Sequence, residues 1–158
     1  MWTSLIDSWA SVYANHAALR TALAFIHMGG LMAGGGGAIT ADLATITAAR
    51  TRSATLTTQL AILKRTHYIV VPGLIALVVS GVLLTAADLE NFLASPVFWV
   101  KMGLFAVLMG NGVLLVIGER RLAQATTGSW TRLHYVAVAS LTLWFLVTLA
   151  GTALANLG

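Results

Sequence analysis

The feature that most narrows what this chain can fold into is the run from Leu19 to Ile46, in which only Arg20, His27 and Asp42 are ionisable. A helix crosses a hydrocarbon core with about 20 consecutive apolar residues, and this run is longer than that. Three more stretches of the same character follow, at about residues 67–87, 97–117 and 134–157. Composition agrees, with 58% hydrophobic and 9% charged residues, against the roughly 25% charged of soluble domains. The expected fold class is all-α: an integral membrane four-helix bundle, up-down-up-down, occupying residues 1–158 as a single transmembrane domain in contact with the lipid bilayer.

Residues 1–16 differ from these runs. Trp2, Leu5, Ile6, Trp9, Val12 and Tyr13 recur at spacings of three and four, while Ser4, Asp7, Ser8, Ser11 and Asn15 take the other face. That pattern predicts an N-terminal amphipathic helix suited to the membrane interface. It lacks the basic n-region of a secretory signal, so no cleavage is expected. The segment 53–66 is mixed in polarity, ends in Lys64-Arg65 and reads as a loop with some helix. Pro72 then falls in the second turn of the following span.

Four alternating crossings place Arg50, Arg52, Lys64, Arg65, Arg120, Arg121 and Arg132 on one side and leave Arg20 and Lys101 for the other. By the positive-inside rule the first side is cytoplasmic. The expected location is a bacterial inner membrane with both termini periplasmic. The net charge of +4 belongs to this asymmetry, and no nucleic-acid partner is expected. With no cysteine there is no disulfide, thiolate metal site or c-type haem attachment motif. Soluble catalysis is disfavoured: no Ser/His/Asp set, phosphate-binding glycine loop or paired carboxylate occurs at a useful spacing, since Asp42, Asp88, Glu90 and Glu119 stand at span ends.

An internal repeat supplies the first candidate site. Arg65-Thr66-His67-Tyr68-Ile69-Val70-Val71 opens the second span, and Arg132-Leu133-His134-Tyr135-Val136-Ala137-Val138 opens the fourth. A weaker echo joins His27-Met28-Gly29 to Lys101-Met102-Gly103. Together they suggest two helical hairpins related by a pseudo-two-fold axis along the membrane normal. Alternate helices of such a bundle are diagonal, so His67 and His134 can face each other across its axis. A haem b iron needs two neutral imidazoles on opposite faces of the macrocycle, and Arg65 and Arg132 stand where propionates would seek cations. The same arginine, histidine and tyrosine residues also suit interfacial anchoring.

His27 lies about 10 Å below the outer surface at 1.5 Å per residue. An ionisable group at that depth is a candidate functional site. Lys101, Met102 and Met109 on the third span lie at neighbouring depths on the same outer side, so a methionine can complete a second haem site with His27, and Lys101 can pair with a propionate or an anionic substrate. The alternative is a histidine hydrogen-bonded to a neighbouring helix, a role also open to Asn111. The glycines of His27–Gly37 divide between a helix-packing seam, through Gly30, Gly34, Ala33 and Gly37, and clearance for a porphyrin or quinone. Met28, Met32, Met102 and Met109 admit a copper(I) reading or plain core filling.

Pro72-Gly73-Leu74, Ser80-Gly81-Val82-Leu83-Leu84 and Ser95-Pro96-Val97-Phe98-Trp99-Val100-Lys101-Met102-Gly103-Leu104-Phe105 resemble the second and third spans of a group of small bacterial membrane proteins. The group includes HemJ-type protoporphyrinogen oxidases, copper-resistance D domains and other four-helix families. His27 followed by Gly29-Gly30 is similar to their first span. The resemblance implies a four-helix bundle, often with haem, and maps its first-span histidine and third-span lysine onto His27 and Lys101. Where HemJ-type proteins share an arginine late in span one and a histidine within span three, this chain has Ala38-Ile39-Thr40 and Asn111. The function expected is that of a haem b-binding, b-type cytochrome-like membrane protein in electron transfer, with a quinone, second haem or redox partner protein on the outer side. The alternative is a cofactor-free membrane subunit, as oligomer or complex component, or a small transporter of copper or another solute.

Overall fold

The computed structural model describes residues 2–51, 56–123 and 130–157, with side chains at 4–50, 66–121 and 130–156. Six helices make up the described chain: α1 (Trp2–Asn15), α2 (Ala17–Thr51), α3 (Leu56–Ala87), α4 (Leu89–Ala94), α5 (Pro96–Ala123) and α6 (Trp130–Leu157). No strand occurs among the described residues. Four segments are long and apolar enough to cross a membrane: Ala17–Arg50, Thr66–Ala87, Pro96–Arg121 and Trp130–Asn156. Phe25, Met32, Ile75, Phe145 and Leu149 stand well exposed on their outer surfaces, as lipid-facing side chains do.

The helices outrun the expected spans. Leu56–Arg65, read as mostly loop, belongs to α3, because Leu, Gln, Ala, Lys and Arg all favour helix and polarity alone does not break one. Pro72 consequently sits inside a long helix and not in its second turn. The short α4 within 88–95 was not expected at all. Its end meets Pro96, which opens α5 at the first helical position, where a missing N–H costs nothing.

α2 lies along both α3 and α6, α6 lies along α5, and α3 meets α5 only marginally. The pairs α2/α5 and α3/α6 make no close backbone approach among the described residues. Contacts between α2 and α3 run in opposite sequence order: a Cβ on Gly30 would meet Leu77, one on Gly34 would meet Leu74, and one on Gly37 would meet Val70. α5 and α6 behave likewise, with Gly118 against Leu133, Asn111 Nδ2 donating to the Val136 carbonyl at 3.0 Å, and Lys101 against Gly151.

The tightest contact is backbone on backbone. A Cβ on Gly73 would sit 2.5 Å from the Gly34 nitrogen, and one on Gly30 would sit 2.8 Å from the Leu77 nitrogen. Only glycine permits helices to approach this closely. Gly35 instead receives the indole of Trp144 from α6, at 3.2 Å from a would-be Cβ. These glycines therefore serve helix packing. The hydrophobic core forms around Leu77, Leu108, Trp144 and Val147, one or more residues from each of α3, α5 and α6.

α1 folds back on the bundle. Trp9 Nε1 donates to the Leu83 carbonyl of α3 at 2.9 Å, and the Arg20 guanidinium donates to the carbonyls of Tyr13 and Ala14, closing the end of α1 with a cation where its dipole is negative. At the opposite end of the bundle Arg50, Arg120, Arg121 and Arg132 are exposed. Arg52 and the turn at 128–129 lie outside the described residues.

Candidate functional site

The ionisable side chains inside the spans gather into two clusters. One lies toward α1, the other toward the basic end, and the apolar core of Leu77, Leu108, Trp144 and Val147 stands between them. From His27 to Asp42 along α2 is about 22 Å at 1.5 Å per residue.

The cluster near α1 centres on His27, which is half-buried. Its Nδ1 lies 3.0 Å from Ser80 Oγ on α3. The Ser80 hydroxyl donates its one hydrogen to the Ala76 carbonyl at 2.6 Å, so toward the imidazole it can only accept. Nδ1 therefore carries the ring proton, and in the neutral ring Nε2 keeps a free lone pair. Gly81 makes room for this ring, since a Cβ there would sit 3.3 Å from His27 Cε1. Lys101 lies within electrostatic reach of the imidazole, and its Cε and Nζ rest over Gly151 of α6. The structure thus brings His27 and Lys101 together from α2 and α5. Met28, Met32 and Met102 face outward on their helices, and Met109 packs in the core.

The cluster at the basic end draws on all four spans. His67 on α3 follows the same heptad stripe as Leu74 and Gly81, which face the core and His27 respectively. Its charge and that of Glu119 on α5 act on each other. His134 on α6 is half-buried, stacks edge-on with Tyr135 at 5.8 Å between centroids, and has a buried Nδ1 without a hydrogen-bond partner. Arg132 is exposed beside it. Of Arg65 only the backbone is described, and its side chain lies outside the described residues. Residues 71–80 and 138–147 alternate between buried, half-buried and exposed in the same order.

Two residues at this end were read as mere span ends, and the structure corrects that. Asp42 is 1% exposed and Glu119 7% exposed. Both Asp42 carboxylate oxygens and Glu119 Oε1 are buried without a hydrogen-bond partner. The two side chains are close enough for their charges to interact, and Ser140 of α6, 4% exposed, lies next to Asp42. The signal was available in the spacing. Asp42 follows Gly35 by one heptad, and Glu119 follows Leu108 by three turns, so each continues a stripe that faces the interior.

No group of three or more His, Asp or Glu side chains among the described residues converges as a ready metal site. Comparison with protein-family models, with curated proteins and with solved structures finds no match.

Proposed function

We propose that the four spans form an up-down-up-down bundle in a bacterial inner membrane, its basic end cytoplasmic and its termini periplasmic, and that the protein transfers electrons through haem b. His67 and His134, on the diagonal helices α3 and α6, would hold the haem iron. Arg132 and Arg65, which precede them by two residues, serve the propionates. The observation that carries this reading is the division of the ionisable residues into two histidine-centred clusters separated by an apolar layer. An electron carrier spanning a membrane needs one such centre near each face.

The residues at the cytoplasmic end suit the group. The buried His134 Nδ1 lacks a partner, His67 shares the heptad stripe of Leu74 and Gly81 with its side chain exposed, and the Glu119 carboxylate would offset the positive charge of an iron centre. Haem supplies one-electron chemistry. The chain's own part is to hold the two imidazoles at matched levels and to exclude water through the core above them. At the periplasmic end His27, oriented by Ser80, offers an unprotonated Nε2, and Lys101 offers a cation, a pair suited to a quinone or to a second haem and its propionate.

Protein purified from cells supplied with haem precursors is expected to show a Soret band and a split α/β pair on reduction, both lost in His67→Ala and in His134→Ala. Folded, colourless wild-type protein overturns the reading. A second reading, a cofactor-free small-solute transporter, is favoured by Asp42 and Glu119, since carboxylates left unpartnered inside a span are typical of ion pathways. Solute uptake by proteoliposomes that carry no haem separates it from the first.

A further inference from the structure

We propose that Asp42, Glu119 and Ser140 form a binding site for a hard divalent cation of the magnesium or manganese type, entered from the basic end of the bundle. Asp42 on α2, Glu119 on α5 and Ser140 on α6 are each more than nine-tenths buried, and the seating of Trp144 on Gly35 and of Leu133 on Gly118 sets α2 and α5 against α6 in the register that brings these three positions to one end of the bundle.

The argument begins with what these groups lack. Buried polar atoms in folded proteins nearly always have hydrogen-bond partners, and a buried charge is costly unless it is paired or coordinates a metal. Asp42 has two buried oxygens without partners, and Glu119 has one. The hydroxyl of the neighbouring Thr45 is already committed, donating to the Ala41 carbonyl at 2.9 Å. The one imidazole whose charge acts on Glu119, His67, stands on the exposed side of α3. With both carboxylates ionised the pair would carry two negative charges, which a divalent ion cancels and a monovalent ion does not.

The donor chemistry then selects the ion. Carboxylate and hydroxyl oxygens suit hard cations, whereas imidazole and thioether ligands suit zinc and copper. Magnesium in particular is held through one or two carboxylates with water completing its shell. Two carboxylates and a hydroxyl are such a partial set. His67 and Arg121 at the same end are exposed. Neither Asp42 nor Ser140 has a part in the haem reading, so the two proposals stand or fall separately.

The test uses the full chain purified in detergent and stripped of metal, titrated with manganese(II) and followed by the electron paramagnetic resonance signal of the free ion. About one manganese per chain is expected to be bound and to be displaced by magnesium. Asp42→Asn and Glu119→Gln should each weaken binding tenfold or more, and Ser140→Ala should weaken it less. Asp88→Asn and Glu90→Gln, which alter exposed carboxylates near the α1 end, should leave it unchanged. Should Asp42→Asn or Glu119→Gln not fold, Glu119→Asp serves, with an expected change in the bound-manganese spectrum. Wild-type protein that leaves the free signal undiminished overturns the proposal. So does binding retained in Asp42→Asn, or binding displaced by zinc but not by magnesium and lost in His67→Ala, which would move the ion to the imidazoles. A Soret band that persists in Asp42→Asn while manganese binding is lost separates this site from that of haem.

Discussion

The α2/α3 seam and the outer surface of α5 hold the same residue for opposite reasons. On the seam, Gly30, Gly34 and Gly73 let two backbones touch, and any side chain there would collide with main-chain atoms. On α5, a Cβ added at Gly103, Gly110 or Gly112 would meet no described atom within 4 Å. A glycine count therefore says little about packing. The face of the helix on which each glycine falls decides whether it joins two helices or simply weakens one.

Substitutions that add volume should expose this contrast most sharply at the tightest point. Gly73→Val should destabilise the protein by about 3 kcal/mol, read as a lower unfolding midpoint in detergent, because its Cβ would lie 2.5 Å from the Gly34 nitrogen; an unchanged midpoint would break the comparison. Gly30→Ala should cost about 2 kcal/mol by the same assay, its Cβ meeting the Leu77 nitrogen and the Gly73 carbonyl. The sign should reverse on α5, where Gly110→Ala is expected to raise stability by up to about 1 kcal/mol, the helix-propensity difference between the two residues. Ser80→Ala should have the smallest effect on stability, about 0.6 kcal/mol for one interhelical hydrogen bond in a membrane. Nitrogen-15 spectra of His27 should nevertheless change from a single Nδ1-protonated form to a mixture once the acceptor is gone.

The four spans were legible because crossing hydrocarbon demands long apolar runs, and Leu19–Ile46 cannot be read otherwise. The nearness of His27 to Lys101 was legible in part, since both stand within about two turns of the same end of their spans. Helix limits were not. At Leu56–Arg65 polarity marks where water begins and does not mark where helix stops. Asp42 and Glu119 were missed for a related reason: both stand close to basic residues, Arg50 in one case and Arg120-Arg121 in the other, and nearness to a span end resembles exposure. Their burial depends on which neighbour covers each stripe, and Ser140 and Leu133 of α6 supply that cover from nearly a hundred residues along the chain in the case of Asp42. The outward turn of Met28 and Met32 has the same origin, as heptad spacing fixes a common face without saying whether that face is lined by protein or by lipid.

The apolar layer of Leu77, Leu108, Trp144 and Val147 acts as a dielectric between two conductors. Polar groups lie above and below it, at Ser80 with His27 and at Asp42 with Glu119. One elementary charge carried across this layer, from the His27 cluster to the Asp42 cluster, would exchange up to about 2.3 kcal/mol with the membrane for every 100 mV.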